Sequence, residues 1–168
     1  MRQLLLLRHA KAAAAASDRD RPLSPAGWRA GAVIRRAMRE LGLAPDLVLV
    51  SDARRALETL EALEPWEDTP LVDPLAQLYL ADAARIRATL RGVAETVRSV
   101  LLIAHNPGLG ELVAVLAGGG NVAVARRLAE GFPTAALAEF SVSGPWRLLD
   151  ASNARLIRLI RPSSLTFE

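Results

Sequence analysis

Three short runs of aliphatic residues set the terms on which this chain can fold. Leu4-Leu5-Leu6-Leu7, residues 47–50 (Leu-Val-Leu-Val) and residues 100–104 (Val-Leu-Leu-Ile-Ala) are apolar throughout. They lack the alternation of a strand that shows one face to water. Such runs read as strands buried on both faces, and a sheet made of them needs a helical layer on each side. Each run also ends abruptly on polar residues, at Arg8-His9, Ser51-Asp52 and His105-Asn106.

The segments between the runs supply those helices. Ser24-Pro25 is a good N-cap and first-turn pair, and apolar residues recur at Ala30, Val33, Ile34, Ala37, Met38 and Leu41 before Gly42, which predicts an amphipathic helix with a defined stop. Residues 53–63 predict a second helix, ended by Pro65. Asp82 can cap a third, with Ile86, Leu90, Val93 and Val97 inward. Asn106-Pro107-Gly108 turns into a fourth from about residue 109 to residue 116, ended by the glycines at 118–120. A further short helix is expected over 122–129. The alanines at 12–16 run into a polar segment closed by Pro22 and read as loop. Leu71-Val72 reads as a short strand, and the strand-like runs at 136–142, 146–149 and 156–160 should extend the sheet, with an antiparallel edge. Strand and helix in alternation predict a three-layer α/β/α sandwich around a mostly parallel sheet. With 168 residues, a single domain over 1–168 is expected.

Composition narrows the chemistry. Hydrophobic residues at 51% and charged residues at 23% exclude a disordered chain. The absence of cysteine removes disulfides, thiolate metal sites and cysteine nucleophiles. A pI near 10.4 suggests nucleic acid, yet the formal net charge is only +3 and arginine carries nearly all the positive charge, so the pI mostly reports arginine's high pKa. With aromatic residues at 4%, a stacking platform for single strands has little support. The first apolar run is too short for a signal-peptide core or a membrane span. A cytoplasmic protein that binds neither membrane nor nucleic acid is expected.

In parallel sheets, ligands bind beyond the carboxyl ends of the strands. Both histidines of the chain, His9 and His105, follow strands there, with Arg8 beside the first and Ser51, Arg54 and Arg55 after the middle strand. Guanidinium charges repel a metal cation, so no metal is expected; the same charges suit an anion. Arginine's planar fork fits phosphate oxygens, and histidine near neutral pH can act as nucleophile, acid or donor. Gly108 and Gly110 lack the third glycine of a dinucleotide loop, and no Walker sequence occurs.

These residues carry a resemblance. Arg8-His9 directly after an N-terminal apolar strand resembles the signature of the histidine phosphatase superfamily, whose fold is phosphoglycerate mutase-like. Asp20-Arg21-Pro22-Leu23-Ser24 with Gly27 resembles a segment of its small SixA-like branch, the phosphohistidine phosphatases. Ser51-Asp52-Ala53-Arg54-Arg55-Ala56-Leu57-Glu58-Thr59 is similar to the element that carries the family's second phosphate-binding arginine, which falls on Arg55. Leu102-Ile103-Ala104-His105-Asn106-Pro107 is similar to the segment with the second catalytic histidine. The landmarks fall in the family's order from Leu4 to Gly110.

The resemblance implies a metal-independent phosphatase, without cofactor, in which His9 attacks phosphorus and water hydrolyses the phosphohistidine formed. Arg8, Arg55 and His105 would stabilise the transferred group, with Ser51 and Asn106 as further phosphate or substrate contacts. Nearby guanidinium charges would keep His9 neutral. Arg21 has two readings, a substrate contact or an ion pair with Asp18. Two departures from the family pattern stand out. Ala10-Lys11 replaces the usual glycine after Arg-His, which asks for an ordinary backbone conformation at Ala10. The acid-bearing insertion of larger members has no room between Leu60 and Asp82, and Gln77 cannot donate a proton. Asp18 or Asp20 remain as possible acid or water-orienting groups, and an acid at Asp18 would matter more to phosphoesters than to phosphohistidine. A phosphohistidine carries a better leaving group than a phosphoester, so a phosphorylated phosphotransfer protein is the favoured substrate. A small-molecule phosphoester phosphatase and a catalytically weak phosphoprotein-binding module are the alternatives. The short chain lacks the elements by which larger members dimerise, so a monomer is expected.

Overall fold

The computed structural model of the chain describes residues 1–118, 123, 126, 128 and 131–164. Six strands form one sheet: β1 (Arg2–Arg8), β2 (Leu47–Ser51), β3 (Leu71–Leu75), β4 (Ser99–Ala104), β5 (Leu137–Val142) and β6 (Ala154–Ile160). Their spatial order is β3-β2-β4-β1-β5-β6. The pairs β3/β2, β2/β4 and β4/β1 are parallel, while β5 runs antiparallel to both β1 and β6. The expected antiparallel section therefore occupies one side of the sheet. Pro74 is tolerated in β3 because that strand lies at an edge.

Alternate side chains of the leucine runs go to opposite faces, as the period of two demands. Leu5, Leu7, Val48, Val50, Leu101 and Ile103 pack under helices α1 (Pro25–Glu40) and α2 (Arg54–Ala62), with Ile34, Met38 and Leu60. Leu4, Leu6, Leu49, Val100 and Leu102 pack against α3 (Ala83–Arg91) and α4 (Gly108–Ala117), with Ile86, Leu90, Leu112 and Leu116. Two separate cores with a sheet between them make the three layers.

The caps follow the sequence. Ser24 caps α1, its hydroxyl accepting from Gly27 N–H, and Asp82 caps α3 through Arg85 N–H. Gly42 at φ +67 and Gly118 at φ +60 stand just past α1 and α4, where a left-handed residue ends a helix. Residues 12–16 are loop, joined to Leu23 by an isolated bridge at Ala12.

Two expectations are corrected. The third helix does not reach Val97: it ends at Arg91 with Gly92 as its cap, and Val93 enters the core from the turn that follows. Residues 146–149 are not a strand. Trp146–Leu148 is a 3-10 turn behind Pro145, and the fully buried Trp146 donates through Nε1 to the Val97 carbonyl and through its backbone N–H to Glu95. The indole needs an acceptor when buried, and the chain must reverse between β5 and β6. Most of the helix expected over 122–129, and the glycines at 119–120, lie outside the described residues.

Candidate active site

The register of the sheet builds the site. Arg8 on β1 pairs with Ala104 on the parallel neighbour β4, so the next residues, His9 and His105, leave the sheet side by side. Their ring centroids are 5.1 Å apart. Residues Arg8, His9, Lys11, Ala12, Asp18, Arg21, Arg55, Leu80, His105, Asn106 and Thr134 line a cleft of about 420 Å³ there.

His9 is fixed in one tautomer. Its Nδ1 lies 2.7 Å from the Ala10 carbonyl oxygen, which can only accept, so the proton is on Nδ1 and the lone pair is on Nε2. Burial pushes its pKa down to about 4, and Arg55, Arg8 and Arg21 add to the shift. Desolvation, more than the guanidinium charges, thus keeps the ring neutral. Ala10 is fully buried, and its N–H donates to Thr59 Oγ1 at 2.9 Å. The Thr59 hydroxyl donates in turn to the Arg55 carbonyl at 2.7 Å. Among the described residues the non-glycine positions at positive φ are Leu80 and Ala135; Ala10 has the ordinary backbone expected of it.

The loop after His9 is held from below by α1. The Lys11 carbonyl accepts from Ser24 N–H at 2.8 Å and from the Ser24 hydroxyl at 3.1 Å. A Cβ on Gly27 would stand closer than 3.0 Å to that oxygen. The glycine and the serine of the motif are therefore one clamp on the loop after His9. Gly108 has a similar role in α4, since a Cβ there would strike the Ala81 carbonyl.

His105 is 1% exposed, and burial followed by the charges of His9 and Arg55 pushes its pKa down to about 3. Its Nε2 lies 2.7 Å from Ser51 Oγ. Ser51 Oγ already accepts from Ala53 N–H, so the hydroxyl hydrogen is free to donate to Nε2. His105 Nδ1 is itself buried and has no hydrogen-bond partner among the described residues. A buried polar atom without a partner beside a cleft is a group that invites a ligand.

Arg55, 3% exposed in the first turn of α2, donates through Nη1 to the Asp18 carbonyl at 2.7 Å and through Nη2 to Asp18 Oδ2 at 3.1 Å. Tyr79 also donates its hydroxyl to Asp18 Oδ2, and its ring meets His105 edge-on at 5.6 Å. Arg8 donates to the Phe132 carbonyl at 3.2 Å.

Several sequence assignments change. Ser51 is fully buried behind His105 and makes no part of the cleft wall. It is the last residue of β2, and its hydroxyl is committed to the histidine. Asn106 lines the cleft, but its amide is engaged by the Phe132 carbonyl at 2.7 Å and by Gly110 N–H at 3.0 Å, which makes it a brace for the α4 entry. Asp20 is not brought to the cleft; it accepts from the Ser17 hydroxyl on the exposed loop. Arg21 lines the cleft and pairs with Asp18 at 3.4 Å, the ion pair that is one of its two readings. Asp18 is poorly suited as an acid: its hydrogen bonds from Tyr79, then Arg55, hold its carboxyl down to about 2. Tyr79 was not legible as a site residue, although it is the one tyrosine of the chain. Among the described residues, no three His, Cys, Asp or Glu side chains gather so as to hold a metal ion.

No protein-family model matches the chain. The solved structure of the protein histidine phosphatase SixA complexed with tungstate is 30% identical, covers 98% of this chain and 99% of its own, and superposes with a TM-score of 0.79. This chain belongs to the histidine phosphatase superfamily, in its SixA-like branch. A provisionally assigned phosphohistidine phosphatase SixA from Nakamurella multipartitia has a TM-score of 0.83 at 28% identity, over 97% of both chains. The uncharacterized protein Rv1276c of Mycobacterium tuberculosis is 34% identical over 155 residues, which is 90% of this chain and 96% of that protein. The fold of this SixA-like chain is accordingly phosphoglycerate mutase-like. Among its described residues, no helix is long and apolar enough to cross a membrane.

Proposed function

We propose that the protein is a phosphohistidine phosphatase in which His9 is the nucleophile. The observation that carries this reading is the bond from His9 Nδ1 to the Ala10 carbonyl, which leaves the lone pair on Nε2 in a cleft with Arg8, Arg55 and His105. Nε2 attacks phosphorus, the N–P bond forms and the bond to the leaving group breaks. Water then attacks the phosphoryl on His9, the Nε2–P bond breaks with its electron pair returning to Nε2, and the proton lost by the water passes to a phosphate oxygen as inorganic phosphate leaves. Charge on the equatorial oxygens is met by the two guanidinium groups and by His105. A tungstate oxyanion in the related SixA structure is in keeping with an anion cleft.

The phosphohistidine substrate is supported by the state of Asp18 and Tyr79. Asp18 is ionised, and the Tyr79 hydrogen is already given to it. A phosphoester would leave as an unprotonated alkoxide, whereas the imidazole of a phosphohistidine brings its own proton. A phosphotransfer protein that carries phosphohistidine, met in the cytoplasm by a monomer, fits best. The test is turnover of a phosphohistidine-bearing protein against a panel of phosphoesters, with and without chelator. Preference for phosphohistidine, unchanged by chelator, is expected, and His9→Ala should abolish both turnover and phosphoenzyme. Turnover retained by His9→Ala would overturn the assignment.

A further inference from the structure

We propose, resting on the phosphohistidine reading above, that Asp18 is the leaving-group subsite: its carboxylate accepts the N–H of the departing imidazole and so selects N-phosphoryl over O-phosphoryl substrates. Asp18 lines the same cleft as His9 and His105. Its two oxygens are unequally used. Oδ2 takes both the Tyr79 hydroxyl and Arg55 Nη2, while Oδ1 is met by Arg21 Nη1 at 3.4 Å. A carboxylate oxygen has two acceptor sites, so Oδ1 retains one for a ligand. The donors Arg55 and Tyr79, from parts of the chain distant in sequence, also fix the orientation of the group, which a lone loop carboxylate would not have.

The charge of this carboxylate gives the selection its sign. Beside a departing alkoxide, a fixed anion with no proton to give is repulsive. Beside an imidazole ring it is attractive. In the substrate, one ring nitrogen carries the phosphoryl group and the other can carry hydrogen. When His9 Nε2 forms its bond to phosphorus, the N–P bond of the substrate breaks and its electron pair returns to the substrate ring nitrogen. A ring protonated at the other nitrogen then leaves as neutral imidazole, with no proton needed from the protein. Asp18 Oδ1 holds that N–H and favours the protonated ring, the better leaving group. Arg55 takes the phosphoryl side and Asp18 the ring side of the same substrate. The tie between them, Nη2 to Oδ2 at 3.1 Å, sets the two subsites at a constant spacing.

The experiment is Asp18→Asn in the full chain, read as kcat/KM on a phosphohistidine peptide and on 4-nitrophenyl phosphate, whose leaving group has no N–H and departs without a proton. Asn keeps the shape and an acceptor for Arg55 and Tyr79 but loses the charge. A charge-assisted hydrogen bond lost from the leaving group predicts a fall of about 10- to 100-fold on the peptide. The nitrophenyl ester, whose departing phenolate the Asp18 charge repels, should instead gain in rate, by up to about tenfold, and thermal denaturation reports that the variant is folded. An equal fall on both substrates would mean that Asp18 acts only through Arg55 and would overturn the subsite. So would an unchanged rate on the peptide. Wild-type protein that hydrolyses the ester but not the peptide would instead take down the phosphohistidine reading itself.

Discussion

Replacing Gly27 by alanine separates two physical effects of opposite sign. Gly27 lies in the first turns of α1, and helix propensity alone favours alanine there by up to about 1 kcal/mol. The Lys11 backbone opposes it. The added Cβ would be closer than 3.0 Å to the carbonyl oxygen, 3.1 Å from the carbonyl carbon and 3.2 Å from the nitrogen of that residue. All three are backbone atoms, so no side chain can swing away; the loop must retreat by roughly 1 Å to reach ordinary contact. That movement strains the two Ser24 hydrogen bonds to the same carbonyl, each worth about 1 kcal/mol, and adds an overpacking cost of about 1–3 kcal/mol. The net expectation is a loss of about 1–3 kcal/mol, or a Tm lower by roughly 2–10 °C for a chain of this size. Because Lys11 is two residues from His9, phosphatase kcat should fall as well. Urea denaturation and a phosphatase assay read both quantities. Gly92→Ala is the control: Gly92 has an ordinary φ of −84 and its nearest contact would be 3.4 Å, so that variant should be neutral or more stable by about 0.4–1 kcal/mol. A rise in Tm for Gly27→Ala would refute the clamp.

Thr59→Val keeps the side-chain shape but leaves the buried Ala10 N–H without its acceptor, which should cost about 1–3 kcal/mol and lower phosphatase activity; a variant as stable and active as the parent would show that α2 does not hold the His9 loop. The histidines make stability depend on pH. Both are held below their unfolded pKa of 6.5, to about 4 for His9 and about 3 for His105, so the unfolded chain binds more protons as pH falls through 6.5. Stability should be full above pH 6.5 and decline toward pH 4, with a slope approaching about 1.4 kcal/mol per pH unit for each histidine. His105→Gln should remove about half of that slope, and a denaturation midpoint flat from pH 7 to pH 5 would contradict the burial argument.

The fold was largely legible because the runs that build it are unambiguous. Four consecutive leucines cannot lie in anything but a two-sided core, and Ser24-Pro25 with Gly42 bounds α1 without tertiary help. Trp146 misled because its neighbours have strand-like composition, whereas the fate of that segment depends on a carbonyl at Val97 and a carboxylate at Glu95, both distant in sequence. The histidines and Arg55 could be read because they adjoin strand ends or a motif. Tyr79 could not, since it reaches Asp18 from a non-periodic loop beyond an edge strand. The state of Asp18 was equally hidden: only the convergence of Tyr79, Arg55 and Arg21 on its oxygens makes it an anion and not an acid. Ser51 was placed on the wrong side of His105 because a sequence gives the end of a strand but not the direction its last side chain takes.

The order of strands in the sheet has a consequence for how the chain is made. β1 emerges first, yet both of its neighbours, β4 and β5, come from the second half of the sequence. Its leucines stay unpaired during synthesis until β4 has appeared, and pairing of such distant strands is slow and exposed to aggregation. Fragments that stop short of β4 should therefore be sticky and inert, and the cleft can form only once the polypeptide has closed on its own beginning.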